Sequence, residues 1–342
     1  MTVAQAAANA QSGLRWGTLF ATGPAAPAVT RYRAQVIERA KQSSNKKFVA
    51  VEWILSEGKL ATEPGVAESR AATKEIPTVL KLAVCARLTG GAACRSAATQ
   101  GLLAWARVYK PDGNPINENE LIPLIQAWDI MKPLLTPHDE KVMEAFGRTL
   151  IAAGDQFYSS LKPTDGRFYN NWGTWRLCVR SLTSVVLADR ELMSSSRELV
   201  RGHLQHNLMP NGASIDFYGR DALHYHVYDL QAFATMAAFM PSGFFSDADL
   251  ALVEKGLDFL EPFFTGKERH VEFVNSKVPF DIKRREAGLA EYQNAPWKPE
   301  NARPLLRLAR AAFPGIRPWS QSAVDEYYDP MLKLEAAALG DQ

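Results

Sequence analysis

The chain has 342 residues, 46% hydrophobic and 22% charged, and its 39 Lys and Arg against 37 Asp and Glu leave a formal net charge of +2. That is the make-up of an ordinary globular protein able to bury a sizeable core, and with no long basic run it gives no reason to expect nucleic acid as a partner. No apolar run reaches the roughly 18 residues of a membrane span. The opening MTVAQAAANAQSG is too polar for the core of a secretory signal, so the chain reads as intracellular, or as a mature form whose targeting segment was replaced by a start methionine.

From about Ala28 onward apolar residues recur at helical spacing, and alternating strand patterns are scarce. Val29, Tyr32, Val36 and Ala40 make the first stripe. The spacing then predicts helices over 76–88, 92–108, 120–134 and 140–157, a stripe of Trp175, Val179, Leu182 and Val186, and further helices over 197–207, 222–240, 247–264 and 302–313. Ser195 with Glu198 reads as a capping box, and Asp247 as the cap of the helix that follows it. Turn clusters TGG at 89–91, KPDGNP at 110–115 and MPNG at 209–212 separate the stripes. Cys85, Cys94 and Cys178 are an odd set without C-x-x-C spacing; each reads as a small buried hydrophobe, with a Cys85–Cys94 bridge as the less favoured alternative.

Helices joined by short connectors, with no low-complexity linker and no strict repeat, predict an all-α fold. The architecture expected is an incomplete α/α toroid of antiparallel helical hairpins, one domain over 21–342 after a flexible segment 1–20. Such a ring places a cleft at one mouth, where loops and helix ends converge.

One short segment is too polar to be core alone: GRDALHYHVYDL at 219–230. With Leu223 at zero and about 100° per residue, Val227, Leu230, Ala234 and Ala237 fall on one buried line. Arg220, His224, Tyr228 and Gln231 share a polar sector beside it, with Asp221 at its edge, while His226 lies roughly opposite. The two histidines therefore have different jobs, and because they point apart on a helix, metal chelation by the pair is disfavoured. A plain structural account remains for each group: Arg220 and Asp221 pairing at a helix start, and the histidines and tyrosines hydrogen-bonding inside a ring of helices. Two further segments, FYNNWGTWRL at 168–177 and GNPINENEL at 113–121, are on their own no more than capped turns.

Taken together, the three segments resemble the alginate-lyase-like polysaccharide lyases, whose members carry paired asparagines ahead of a helix and an Ala-Leu-x-Tyr-His-x-Tyr segment some fifty residues later. Here these are Asn170 and Asn171, and Ala222, Leu223, Tyr225, His226 and Tyr228; the stretches WILSEGKL and LLAWARVYKPDGNPINENEL add to the likeness. The resemblance implies a secreted or periplasmic enzyme that cleaves a uronic-acid polymer by β-elimination, polymannuronate (alginate) first and polyglucuronate second. It implies Tyr228 as base and acid and Asn171 as a group neutralising the substrate carboxylate, a task in which Arg220 or a histidine is expected to join it. The chain departs from the pattern in two places. Trp172 and Gly173 stand where members often have a histidine, and Asp221 stands directly before Ala-Leu, with the arginine one place earlier at Arg220.

The chemistry asks for such groups. The proton beside a uronate carboxylate becomes acidic only when donors offset the carboxylate's charge, and a tyrosine acts as base near neutral pH only where positive charge favours its phenolate or its proton moves in concert. Arg220 and His224 are expected to provide that field for Tyr228. If base and leaving oxygen lie on opposite faces of the sugar, a second group is required, with His224 or His206 as candidates. Asn114, Asn170, Trp172, Tyr225 and His226 complete the expected contacts to an anionic polysaccharide. No cofactor or metal is expected. Two rival readings are a non-catalytic uronan-binding protein, motivated by the absent histidine, and a glycoside hydrolase working through carboxylates such as Asp216, Asp221 and Asp229.

Overall fold

A computed structural model of the chain describes residues 13–17, 19–21 and 27–325. Residues 1–12, most of the segment expected to be flexible, lie outside the described residues. Leu14, Trp16 and Leu19 are buried, and Trp16 Nε1 donates to Asp129 Oδ2 at 2.6 Å.

The described chain is helical and has the α/α-toroid architecture. Helices α1 (Pro27–Gln42), α2 (Val66–Thr73), α3 (Ile76–Thr89) and α4 (Ala92–Val108) lead into α5 (Ile122–Met131), α6 (Pro137–Ser159), α7 (Asn171–Val186) and α8 (Arg190–Asn207). The short α9 (Ile215–Arg220) precedes α10 (Leu223–Phe239), α11 (Asp247–Asp258), α12 (Pro279–Glu286) and α13 (Arg303–Ala312). Helices α3, α5, α7, α10 and α13 touch in that order and form an inner layer, while α4, α6, α8 and α11 pack outside them. Inner α5, IPLIQAWDIM, is apolar nearly all round, whereas outer α8, RELMSSSRELVRGHLQHN, is strongly one-sided; α13, RPLLRLARAA, closes the inner layer and is one-sided too.

The core runs through the layers as one cluster that includes Trp105, Trp128, Phe233 and Phe239, all fully buried. Each such side chain stabilises the fold by about 1.5–3 kcal/mol relative to exposure. Among the described residues no helix is long and apolar enough to cross a membrane.

Several expectations are corrected. Helix α8 begins at Arg190, capped by Asp189, so Ser195 is interior and bonds back to Leu192 O instead of opening a capping box. The cap of α11 is Ser246, in a capping box with Asp249, not Asp247. The stretch 247–264 breaks at Phe259 and Leu260 and restarts as a single turn, Glu261–Phe264, with Pro262 at its start, because proline offers no N–H to continue the ladder. Cys85 and Cys94 are joined in a disulfide, the less favoured of the two readings, since the turn at Gly90 brings their Cα atoms to 6.0 Å. Helices α2, α9 and α12 were not anticipated, being too short for a legible apolar stripe.

Candidate active site

A cleft at one mouth of the ring is built on two helix starts. At the first, Asn170 caps α7, its side chain accepting from Trp172 N at 3.0 Å. Asn171 follows, 1% exposed, and its backbone N and Nδ2 each donate to one oxygen of Asp216 on α9, both at 2.6 Å. Gly173 is required by the closeness of the next layer: a Cβ there would sit 2.5 Å from Phe168 O and 2.7 Å from His203 Cε1. No histidine or other side chain fits that position.

The second start differs from the single helix expected after Gly219. Arg220 ends α9, Asp221 adopts a left-handed conformation at φ 51°, and α10 begins only at Leu223. Aspartate tolerates this conformation better than most residues, and Asp221 is further fixed by accepting from Asn275 N and Nδ2 at 2.9 Å. Glu272 accepts from His224 N at 3.3 Å, placing a carboxyl at the positive end of α10.

From α10 come Tyr228 and His224. The Tyr228 hydroxyl oxygen accepts from Asn119 Nδ2 at 2.6 Å, and its ring lies against Trp175. Burial pushes its pKa up, with Glu120 adding to the shift. This is the reverse of the field expected from Arg220 and His224. Arg220 does reach the cleft, its guanidinium 3.6 Å from the Tyr225 ring centroid, but its charge is committed to the fully buried Asp281. His224 is open to the cleft, and enclosure by the cleft walls, then Arg220, lowers its pKa, leaving a neutral imidazole near pH 7.

Asn170, Asn171, Trp172, Arg220, His224, Tyr225 and Tyr228 all line one cavity of about 680 Å³. Arg284, absent from the sequence-based set, also lines it, donating to Tyr225 Oη at 2.8 Å and stacking on Phe280 and Tyr292; it makes no ion pair among the described residues. Arg70 and Arg167 line it too, Arg167 paired with Asp165 at 2.7 Å, together with the carboxyls of Glu57, Glu120 and Asp216. A second cavity of about 650 Å³, with Glu272, Glu291, Glu300, Lys298 and Trp297 in its walls, meets the first at Tyr228, His224 and Tyr292.

Three expected site residues do not reach the cleft walls. His226 is fully buried, accepting from Ser214 N at 3.1 Å and donating to Gly256 O at 3.0 Å, so it ties α10 to the segments behind it. His206 bonds Gly202 O of its own helix and stacks on Tyr169. Asn114 caps a single turn, Pro115–Glu118, by accepting from Ile116 N at 3.0 Å; the asparagine of that segment that touches Tyr228 is Asn119. His203 is likewise buried, between Thr174 and Phe168 O. Among the described residues no group of three or more His, Cys, Asp or Glu is placed to hold a metal ion.

A family model described as alginate lyase matches residues 23–268. The chain belongs to the alginate lyase family. It is accordingly a polysaccharide lyase, a carbon–oxygen lyase. Among solved structures it is similar to an alginate lyase from Bacteroides ovatus, at 15% identity over 92% of this chain and 94% of that one, with a TM-score of 0.59. It is also similar to a tyrosine-to-phenylalanine variant of alginate lyase A1-III complexed with a tetrasaccharide, at 11% identity over 89% and 91% of the two chains and a TM-score of 0.55. At these identities the likeness is one of fold. No curated protein matches the sequence significantly.

Proposed function

We propose that this lyase cleaves a uronic-acid polysaccharide by β-elimination at the seam between the two cavities. The uronate ring lies in the arginine-lined cavity, with its carboxylate toward Asn171 and Arg284. The observation that carries this reading is the position of Tyr228: held by Asn119 where the cavities meet, beside a neutral His224, with four arginines on one side and a single lysine on the other.

In the reaction, the base takes the C5 proton, the C4=C5 bond forms, the C4–O bond breaks, and the leaving oxygen takes a proton. Donors on the carboxylate stabilise the enolate-like intermediate. Because its surroundings disfavour the phenolate, Tyr228 enters as the acid, and His224 is the base. The second reading, Tyr228 as both base and acid, requires the C5 proton and the leaving oxygen on one face of the sugar and a concerted transfer.

Alginate, above all polymannuronate, is the first polymer to test and polyglucuronate the second. The Cys85–Cys94 bridge supports an exported protein, since such bonds persist in oxidising compartments. The test is the ultraviolet absorbance of unsaturated uronate on polymannuronate, polyguluronate and polyglucuronate. The parent should release it from at least one polymer and Tyr228→Phe from none. Cleavage without a new double bond, or a fully active Tyr228→Phe protein, would sink the mechanism.

A further inference from the structure

We infer that Asp216 is a further catalytic residue: as a neutral carboxylic acid it donates a hydrogen bond to the carboxylate of the bound uronate, beside Asn171, in the role left open where Trp172 and Gly173 replace the family histidine. The inference rests on the β-elimination reading above and deepens it.

The geometry is specific. Asp216 lines the uronate cavity although it is only 4% exposed, and both its oxygens are held by Asn171, one by the backbone N–H and one by Nδ2. Arg220 on the same short helix acts on it only through space, because its guanidinium forks onto Asp281. From α10, Asp229 and Tyr228 face it; Asp229 is fully buried and bonded to Thr174. A carboxyl so enclosed is costly to ionise, and burial pushes Asp216 up against the opposing hydrogen bonds from Asn171 and the charge of Arg220.

Asn171 and Asp216 share one patch of wall, so a substrate carboxylate drawn to the Asn171 amide arrives beside Asp216. Two adjacent carboxylates cannot both remain ionised at low cost. Binding therefore draws one proton from solvent onto Asp216, and the acid then donates to the substrate. That donor strengthens as charge moves onto the carboxylate in the enolate-like intermediate, which is how a buried neutral acid serves catalysis. The proton stays on Asp216 through the elimination and returns to solvent when product leaves.

The experiment compares pH profiles of kcat/KM for the parent, Asp216→Asn and Asp216→Ala on the polymer the parent cleaves. For the parent, kcat/KM should fall about tenfold per pH unit above the raised pKa of Asp216, with the fall under way by pH 8, because the free enzyme must hold a proton there. Asp216→Asn, neutral at every pH but short of one of the two acceptors that Asn171 uses, should lose that limb while its rate at the optimum drops. Asp216→Ala, without a donor, should be about a hundredfold slower throughout. A parent profile flat to pH 8, or an Asn variant that keeps the parent's alkaline limb, would overturn the inference while the unsaturated product still upheld β-elimination.

Calorimetry covers the case in which the Asp216 variants do not fold. Tetramannuronate and a tetramer of glucuronate would each be titrated at pH 7, in two buffers of different ionisation enthalpy, into a Tyr228→Phe, His224→Gln protein that retains Asp216. Binding should take up close to one proton; tight binding with none overturns the assignment.

Discussion

The two cavities that meet at Tyr228 are alike in size and differ in charge. One is walled by Arg70, Arg167, Arg220 and Arg284 with the Asn170–Asn171 pair, and also by Glu57, Glu120 and Asp216; the other by Glu272, Glu291 and Glu300, with Lys298 as its cation and Trp297, Pro296 and Pro304 as apolar surface. A polyanion bound across both would meet attraction on one side of the cleavage point and repulsion on the other. On the proposed mechanism the arginine-rich side is the better placed to stabilise charge growing on a carboxylate, which puts the uronate that loses its proton there and the leaving sugar on the acidic side.

The largest expected effect lies at the seam itself. His224→Ala should lower kcat by roughly 10²–10⁴, the range for loss of a positioned base, while KM changes little. The imidazole's pKa is lowered below its usual 6.5, so it is neutral and able to accept a proton above that lowered value and is protonated below it. In the parent, kcat/KM should therefore fall as pH drops through a value under 6.5, and this acid limb should vanish in the variant. A His224→Ala protein with near-parental kcat would return both proton transfers to Tyr228. Next in size is the contrast between cations on the two sides. Arg284→Ala should cost about a hundredfold in kcat/KM, as for loss of one donor to developing charge, whereas Lys298→Ala should change it less than about threefold. Equal losses would erase the polarity argued here.

The sequence carried more of this site along the chain than across it. The helical wheel separated His224 from His226, and the structure puts one at the cleft and the other between Ser214 N and Gly256 O, because side-chain direction within a helix follows from spacing alone. The disagreement at Arg220 has a local cause: Asp221 turns left-handed, so Arg220 sits on its own short helix and reaches the cleft by another route. Asn119, 109 residues from Tyr228, and Arg284, 59 residues from Tyr225, were not legible as site residues, since tertiary proximity leaves no periodic trace in either segment. Of the asparagines in the turn GNPINENEL, Asn114 caps the turn and Asn119 bonds Tyr228, a difference that residue type alone does not carry.

Behind the seam, the same helix offers a control with an effect of intermediate size. His226→Ala should leave Ser214 N and Gly256 O without partners at a cost of about 1–3 kcal/mol, read as a lowered Tm with kcat nearly intact in protein that remains folded. Burial lowers the His226 pKa to about 4. A depressed folded-state value means its stabilising contribution is complete above about 6.5 and is lost as pH falls through about 4. The Tm difference between parent and variant should therefore shrink over that interval.

The smallest expected effect tests the acidic side directly. Glu291 and Glu300 are exposed, so their repulsion on a bound uronate is solvent-screened and weak, a few tenths of a kcal/mol to about 1 kcal/mol in all. Replacing both by glutamine should lower KM for a homopolymer of uronate about two- to fivefold and leave kcat unchanged. Salt should mimic the substitution in the parent, because at about 1 M the screening length falls to about 3 Å, and it should add little in the double variant. A polymer in which the uronate is preceded by an uncharged sugar should respond to neither change. If the double variant instead raised KM on the homopolymer, the glutamates would be hydrogen-bond acceptors for the leaving sugar's hydroxyls, and the opposition between the two cavities would be one of donors and acceptors rather than of net charge.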